Sequence, residues 1–212
     1  MSEHVYAYGI IEDEDLEMEI DGVEDANEIY NVSYRNFSAI VSDIDTTDPE
    51  RSDENVERHN QVLQEVLESD GGKTVVPMGF GMAFKNKKTL KGVIRGARRA
   101  LRKALNDIDG KVELGLKIVS PAESAPSETE VEDYVEERLD DLVVNDKEND
   151  KFTDRLLLNR SYLVERDERS ELDSAVDDIE EEFEDCIVQY TGPWPPYNFV
   201  DIHIGAKGEA GG

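Results

Sequence analysis

One cysteine, Cys186, stands in 212 residues, so no disulfide within the chain holds the fold, and a reducing compartment is expected. No run of about 18 apolar residues occurs, which leaves no candidate for a membrane-crossing helix. The opening MSEHVYAYGII has neither a basic n-region nor a small-residue cleavage site, so a cytoplasmic location is expected. Basic side chains are scarce: 23 Lys and Arg face 51 Asp and Glu, giving a formal charge of −28 and a sequence pI near 4.3. That balance argues against nucleic-acid binding over the general surface. The acids are dispersed among apolar residues rather than blocked, which reads as a surface adapted to high salt and not as an acidic tail or a metal sponge. In about 1 M salt the Debye length is only about 3 Å, so recognition must rest on packing and close hydrogen bonds.

The scarce basic residues are concentrated. Positions 85–111 hold ten Lys and Arg against Asp107 and Asp109, a net +8 that leaves −36 for the rest of the chain. Apolar positions at helical spacing (Leu90, Val93, Ile94, Ala97, Leu101, Ala104, Leu105) predict a helix over 87–107 with Lys91, Arg95, Arg98, Arg99 and Arg102 on its other side. Gly92, Gly96 and Ala100 recur every four residues along one flank. Each glycine costs about 1 kcal/mol of helix propensity relative to alanine, so a close backbone approach to a neighbouring element is expected there.

Elsewhere the pattern alternates between strands and helices. His4–Ile11 reads as a first strand, 28–34 and 37–44 as a hairpin, and 54–69 as a helix capped by Ser52 or Asp53 with His59 in its apolar seam. Residues 74–84 read as a short apolar run and a glycine-rich turn, with Pro77 marking an edge or irregular strand; the MGFGMAF run resembles the aromatic strand of RNA-recognition motifs, with Phe80 and Phe84 as stacking platforms beside the basic helix. Met78 and Met82 replace the base and the aromatic that such a motif requires, so a nucleic-acid module is the alternative reading and no nucleic-acid partner is expected.

A strand over 111–119, a helix opened by a Ser127/Glu130 capping box, a strand over 155–164, a helix over 167–184 and a strand over 185–191 give the second half as β, α, β, α, β with one more strand over 198–204. The proline-rich corner Gly192–Phe199 (GPWPPYNF) sits before that last strand and presents Trp194 and Tyr197. Residues 205–212 are glycine-rich and expected to be disordered.

No nucleophile stands beside a base. The three histidines (His4, His59, His203) are far apart, and Gly72-Lys73-Thr74 lacks the leading glycine of a phosphate loop because Leu67 occupies that position. Asp43–Glu54 has acids at calcium-loop positions, but Asp48 stands where glycine is required. No enzyme activity, cofactor or metal is expected.

VYAYGII, the His59 helix, VVPMGFGMAF, ELGLKIV and, above all, YTGPWPPYNFVDI (Tyr190–Ile202) resemble the GvpF/GvpL family of gas vesicle accessory proteins, and the acidic composition resembles its haloarchaeal members. The resemblance spans nearly the whole chain. It implies an α+β protein of two domains, a modified ferredoxin-like unit over 1–109 and an α+β sheet-and-helix layer domain over 110–204. It further implies a minor shell-associated assembly factor that binds the hydrophobic major shell protein GvpA and other accessory proteins and aids shell nucleation or keeps the subunit soluble. The expected partner-binding residues are Lys91, Gly92, Arg95, Gly96, Arg98 and Arg102 on the basic helix and Trp194 and Tyr197 at the corner; the protein itself is expected to be a monomer.

Overall fold

The computed structural model describes residues 4–121 and 126–200. Its contacts group into two compact units, one running to Asp109 and resuming at Pro195, the other spanning Gly110–Trp194. The segment from Pro195 onward, expected in the second domain, therefore belongs with the first: Val200 packs against the first unit's core and the Tyr197 hydroxyl lies 3.4 Å from Asn60 Oδ1. Pro195 and Pro196 have no N–H to extend a strand ladder, which is where the chain leaves the second unit's sheet.

The first unit is a sheet between two helices. Its strands are β1 (His4–Glu12), β2 (Glu17–Met18), β3 (Ile29–Tyr34), β4 (Phe37–Ile44), β5 (Val76–Pro77) and β6 (Ala83–Phe84). They run antiparallel in the order β2-β3-β4-β1-β5, with β6 also paired to β1. Four strands, one of them only two residues long, precede the first helix, and the strand between the helices is reduced to two short pieces on the outer side of β1; this is how the unit departs from a regular ferredoxin-like order.

β1 is buried along seven of its nine positions, so both of its faces are covered. Val5, Ala7 and Ile10 join the core with Leu90, Ile94, Leu101 and Leu105 of α2 (Lys87–Asp107). Tyr6 and Tyr8 point the other way, towards His59 of α1 (Asp53–Glu68). A register shift between Ala7 and Gly9 keeps this alternation in step with β4. Glycine is required at position 9, where a Cβ would stand 2.9 Å from the Val76 carbonyl oxygen and 3.0 Å from Leu63.

The second unit is an antiparallel sheet in the order β10-β7-β9-β8. It comprises β7 (Lys111–Val119), α3 (Glu128–Leu139), β8 (Asn145–Glu148), β9 (Leu156–Glu165), α4 (Arg169–Glu182) and β10 (Ile187–Trp194). Leu114, Leu116 and Ile118 of β7 and Leu158, Tyr162 and Val164 of β9 share one face. Val131, Val135 and Leu139 of α3 and Leu172, Val176 and Ile179 of α4 are the buried helical positions of the same unit. Ser127 opens α3 with both halves of the expected capping box, its hydroxyl accepting from the Glu130 N–H and the Glu130 carboxylate accepting from the Ser127 N–H.

Two expectations are corrected. β8 interrupts the simple β, α, β, α, β order. The glycine-rich turn expected within 74–84 is present: β5 ends at Pro77, Gly81 takes a φ of +96°, and pairing resumes at Ala83. Of the final strand expected over 198–204, the described part is a single helical turn, Tyr197–Phe199, and residues 201–204 lie outside the described residues, as does the tail 205–212.

Candidate functional site

Two places in the first unit concentrate polar chemistry. The first is internal and centres on His59, which is 2% exposed. Its Nε2 lies 3.0 Å from the Met78 carbonyl oxygen and its Nδ1 lies 2.8 Å from the Tyr6 hydroxyl. A carbonyl only accepts, so Nε2 carries the proton; Nδ1 is then the acceptor and Tyr6 donates to it. Tyr6 Oη in turn accepts from the Gly81 N–H at 3.1 Å. The chain Gly81 N–H to Tyr6 O–H to His59, closed by His59 Nε2–H to Met78, fastens both ends of the 78–81 turn to β1 and α1.

Burial opposes a charge here and pushes the His59 imidazole down to about 4, while the hydrogen bond to Met78 acts in the opposite sense. With one nitrogen protonated and the other accepting, this imidazole has no free lone pair to offer a metal. Tyr8 stacks on it at 5.5 Å, and Phe80 meets it edge-on at 5.9 Å beneath the Arg51 guanidinium, itself 5.5 Å from the Phe80 centroid. Phe84 is 5% exposed inside the core. The pair proposed as a base-stacking platform is therefore not one: one ring is in the core and the other is held between a histidine and an arginine.

The second place is the outward face of α2. Asn86 caps the helix by accepting from the Thr89 N–H at 2.9 Å, and the helix bounds coincide with those read from the sequence. Arg95, Arg98, Arg99 and Arg102 are exposed, Lys91 is half-buried, and Gly92, Gly96 and Ala100 are exposed beside them. A Cβ added at Gly92 or Gly96 would meet nothing within 4 Å. The close approach expected for these glycines is thus not made by any of the described residues, and among these nothing compensates their helix-propensity cost.

The basic residues differ in their pairing. Outside α2, Arg58, Lys73, Lys111, Arg138, Lys151, Arg160 and Arg169 each form an ion pair, Lys151 with three carboxylates, while Arg35 and Arg51 lie over the Tyr34 and Phe80 rings and Lys85, Lys117, Lys147 and Arg155 form no ion pair among the described residues; what sets α2 apart is that its unpaired cations are gathered on one helix face. On α2, Lys103 pairs with Asp107 and Lys87 sits 4.3 Å above the Tyr30 ring. Lys88, Lys91, Arg95, Arg98, Arg99 and Arg102 form no ion pair among the described residues, although acids outnumber bases more than two to one in the chain. Lys88 and Arg99 were not among the expected partner-binding residues, although Arg99 was read on the basic side of the helix; helical periodicity places both on the same outward face.

The aromatic corner is divided between the two units. Trp194 is half-buried and pairs with Glu113 at the end of β10, in the second unit. Tyr197 belongs to the first unit and is 37% exposed.

The chain was compared with known proteins. The family model described as gas vesicle synthesis protein GvpL/GvpF matches residues 4–133 and 122–201. Gas vesicle protein F of Haloferax mediterranei is 62% identical and gas vesicle protein F1 of Halobacterium salinarum 59% identical, each over 212 residues that cover all of both chains. Among solved structures, gas vesicle protein GvpF from Anabaena sp. matches with a TM-score of 0.82 at 19% identity, and GvpF from Microcystis aeruginosa with 0.83 at 18%. Each match covers 95% of this chain and 100% of the other.

Proposed function

This chain belongs to the GvpL/GvpF family of gas vesicle proteins, and we propose that it serves gas vesicle assembly by binding the hydrophobic major shell protein GvpA through the outward face of α2. The observation that carries this reading is the row of six cations without an ion-pair partner among the described residues of a chain at −28. A protein selected for a solvated acidic surface has no use for such a row unless a carboxylate-bearing partner meets it at contact distance. Apolar contact supplies most of the affinity, and the charges set where the partner lies. Through this contact the protein keeps the shell subunit soluble and aids shell nucleation as a minor component of the shell, alongside other accessory proteins. Trp194 and Tyr197 are secondary contact candidates.

Capture of GvpA by the purified chain in molar salt, from nuclease-treated and untreated lysates in parallel, tests the reading. Equal capture in both supports it. Capture lost with nuclease makes nucleic acid the bridge, and no capture in either lysate directs the search to another accessory protein.

A further inference from the structure

The cation row on α2 has a counterpart on the same chain. In α3 and the helical turn that continues it (Asp140–Leu142), Asp133, Glu136, Glu137, Asp140 and Asp141 are all exposed and form no ion pair among the described residues. Val131, Val135 and Leu139 face the core, which puts Asp133, Glu137 and Asp140 on the opposite, outward side. Their spacing is i, i+4, i+7, the spacing of Arg95, Arg99 and Arg102, and each row spans about 10 Å of helix. The other helices match less well. On α4, Asp173 and Asp178 are engaged by Arg169 and Tyr190 and by Arg138, and exposed Asp177 and Glu181 stand at i, i+4, but the helix ends at Glu182 before an i+7 position; α1 has Gln61 and Gln64 in the middle of its outer side.

From this complementarity we infer that the chain self-associates head to tail, the Arg95/Arg99/Arg102 row of one copy docking on the Asp133/Glu137/Asp140 row of a second copy. The two surfaces differ, so the contact is heterologous: each added copy leaves one cation row and one acid row open at the ends. Long-range repulsion between chains of −28 opposes association in dilute buffer. Molar salt screens that repulsion beyond about 3 Å while leaving arginine–carboxylate pairs at contact distance, so the association belongs to high salt. The contact uses the face proposed for the shell subunit but does not rest on that proposal, and it replaces the expectation of a monomer with one of concentration-dependent chains.

Sedimentation velocity of the full chain in molar KCl, over a wide range of concentration, reads this out. The wild type is expected to sediment faster as concentration rises. The variant Arg95→Glu/Arg99→Glu/Arg102→Glu and the variant Asp133→Arg/Glu137→Arg/Asp140→Arg, each shown folded by circular dichroism, are each expected to associate roughly tenfold or more weakly. Mixing the two restores association, because each supplies the row the other has lost. A wild type that stays monomeric throughout, or an α3 variant that associates as the wild type does, overturns the inference; neither result bears on GvpA capture, for which α3 is not required.

Discussion

The two helices of the first unit lie on opposite faces of one sheet and differ in what their polar groups do. α1 turns a histidine inward, and both imidazole nitrogens find partners in Tyr6 and Met78. α2 turns its cations outward, and six of them find none among the described residues. The same contrast runs through the glycines: Gly9 is required by what surrounds it, whereas Gly92 and Gly96 face open space. Where the chain's own packing accounts for a residue, stability is explanation enough. Where it accounts for nothing, the residue points to a partner.

That contrast can be broken from either side, and the largest effect is expected inside. His59→Ala strips the acceptor from Tyr6 and the donor from Met78 and leaves a cavity, and it should cost about 3 kcal/mol in denaturant unfolding. pH probes the same residue. The unfolded imidazole takes a proton below its ordinary value of 6.5, whereas burial keeps the folded one neutral until about 4. Stability from this group is therefore complete above that upper value and is lost as pH falls through the window, by about 2 kcal/mol between pH 7 and pH 5. In His59→Gln this component should vanish from the slope of unfolding free energy against pH.

The glycines give the next comparison. Gly9→Ala drives a Cβ to 2.9 Å from the Val76 carbonyl and should cost about 2 kcal/mol. Gly96→Ala meets nothing and should instead stabilise by about 1 kcal/mol, a rise visible in thermal unfolding. A destabilised Gly96→Ala would show that the open flank is occupied after all. The smallest stability effect belongs to Arg95→Glu/Arg98→Glu/Arg102→Glu, expected within about 0.5 kcal/mol per site of the wild type because these side chains are exposed and unpaired.

Much of the α+β arrangement was legible because the elements that carry it are strongly periodic. The bounds of α2, the Ser52 and Ser127 caps and the inward position of His59 all follow from spacing and cap chemistry. β8 was not legible: all four of its side chains are exposed, three are charged, and neither period 2 nor period 3.6 marks it. The turn at 78–82 was half legible: its glycines and Pro77 marked a turn and an irregular strand, but nothing local marked how it is fastened. Its backbone departs from the ladder at Pro77 and at Gly81, and its ends are held by a tyrosine and a histidine more than 50 residues apart.

The site divided in the same way. The basic face of α2 was visible as charge against helical period. What could not be seen was that six of its cations lack ion-pair partners and that Gly92 and Gly96 meet no neighbour among the described residues, since both depend on what the rest of the chain leaves uncovered. The return of Pro195–Val200 to the first unit was invisible for a related reason: long-range packing decides it, and the local pattern suggested only another strand.

The central claim is that the outward face of α2 binds the shell subunit. Capture of purified GvpA in molar salt by the wild type and by the Arg95→Glu/Arg98→Glu/Arg102→Glu variant, with matching circular dichroism, tests it most directly. The account predicts that the variant stays folded and captures roughly tenfold less or weaker. Undiminished capture by the folded variant would contradict it and remove the basic face from the interaction.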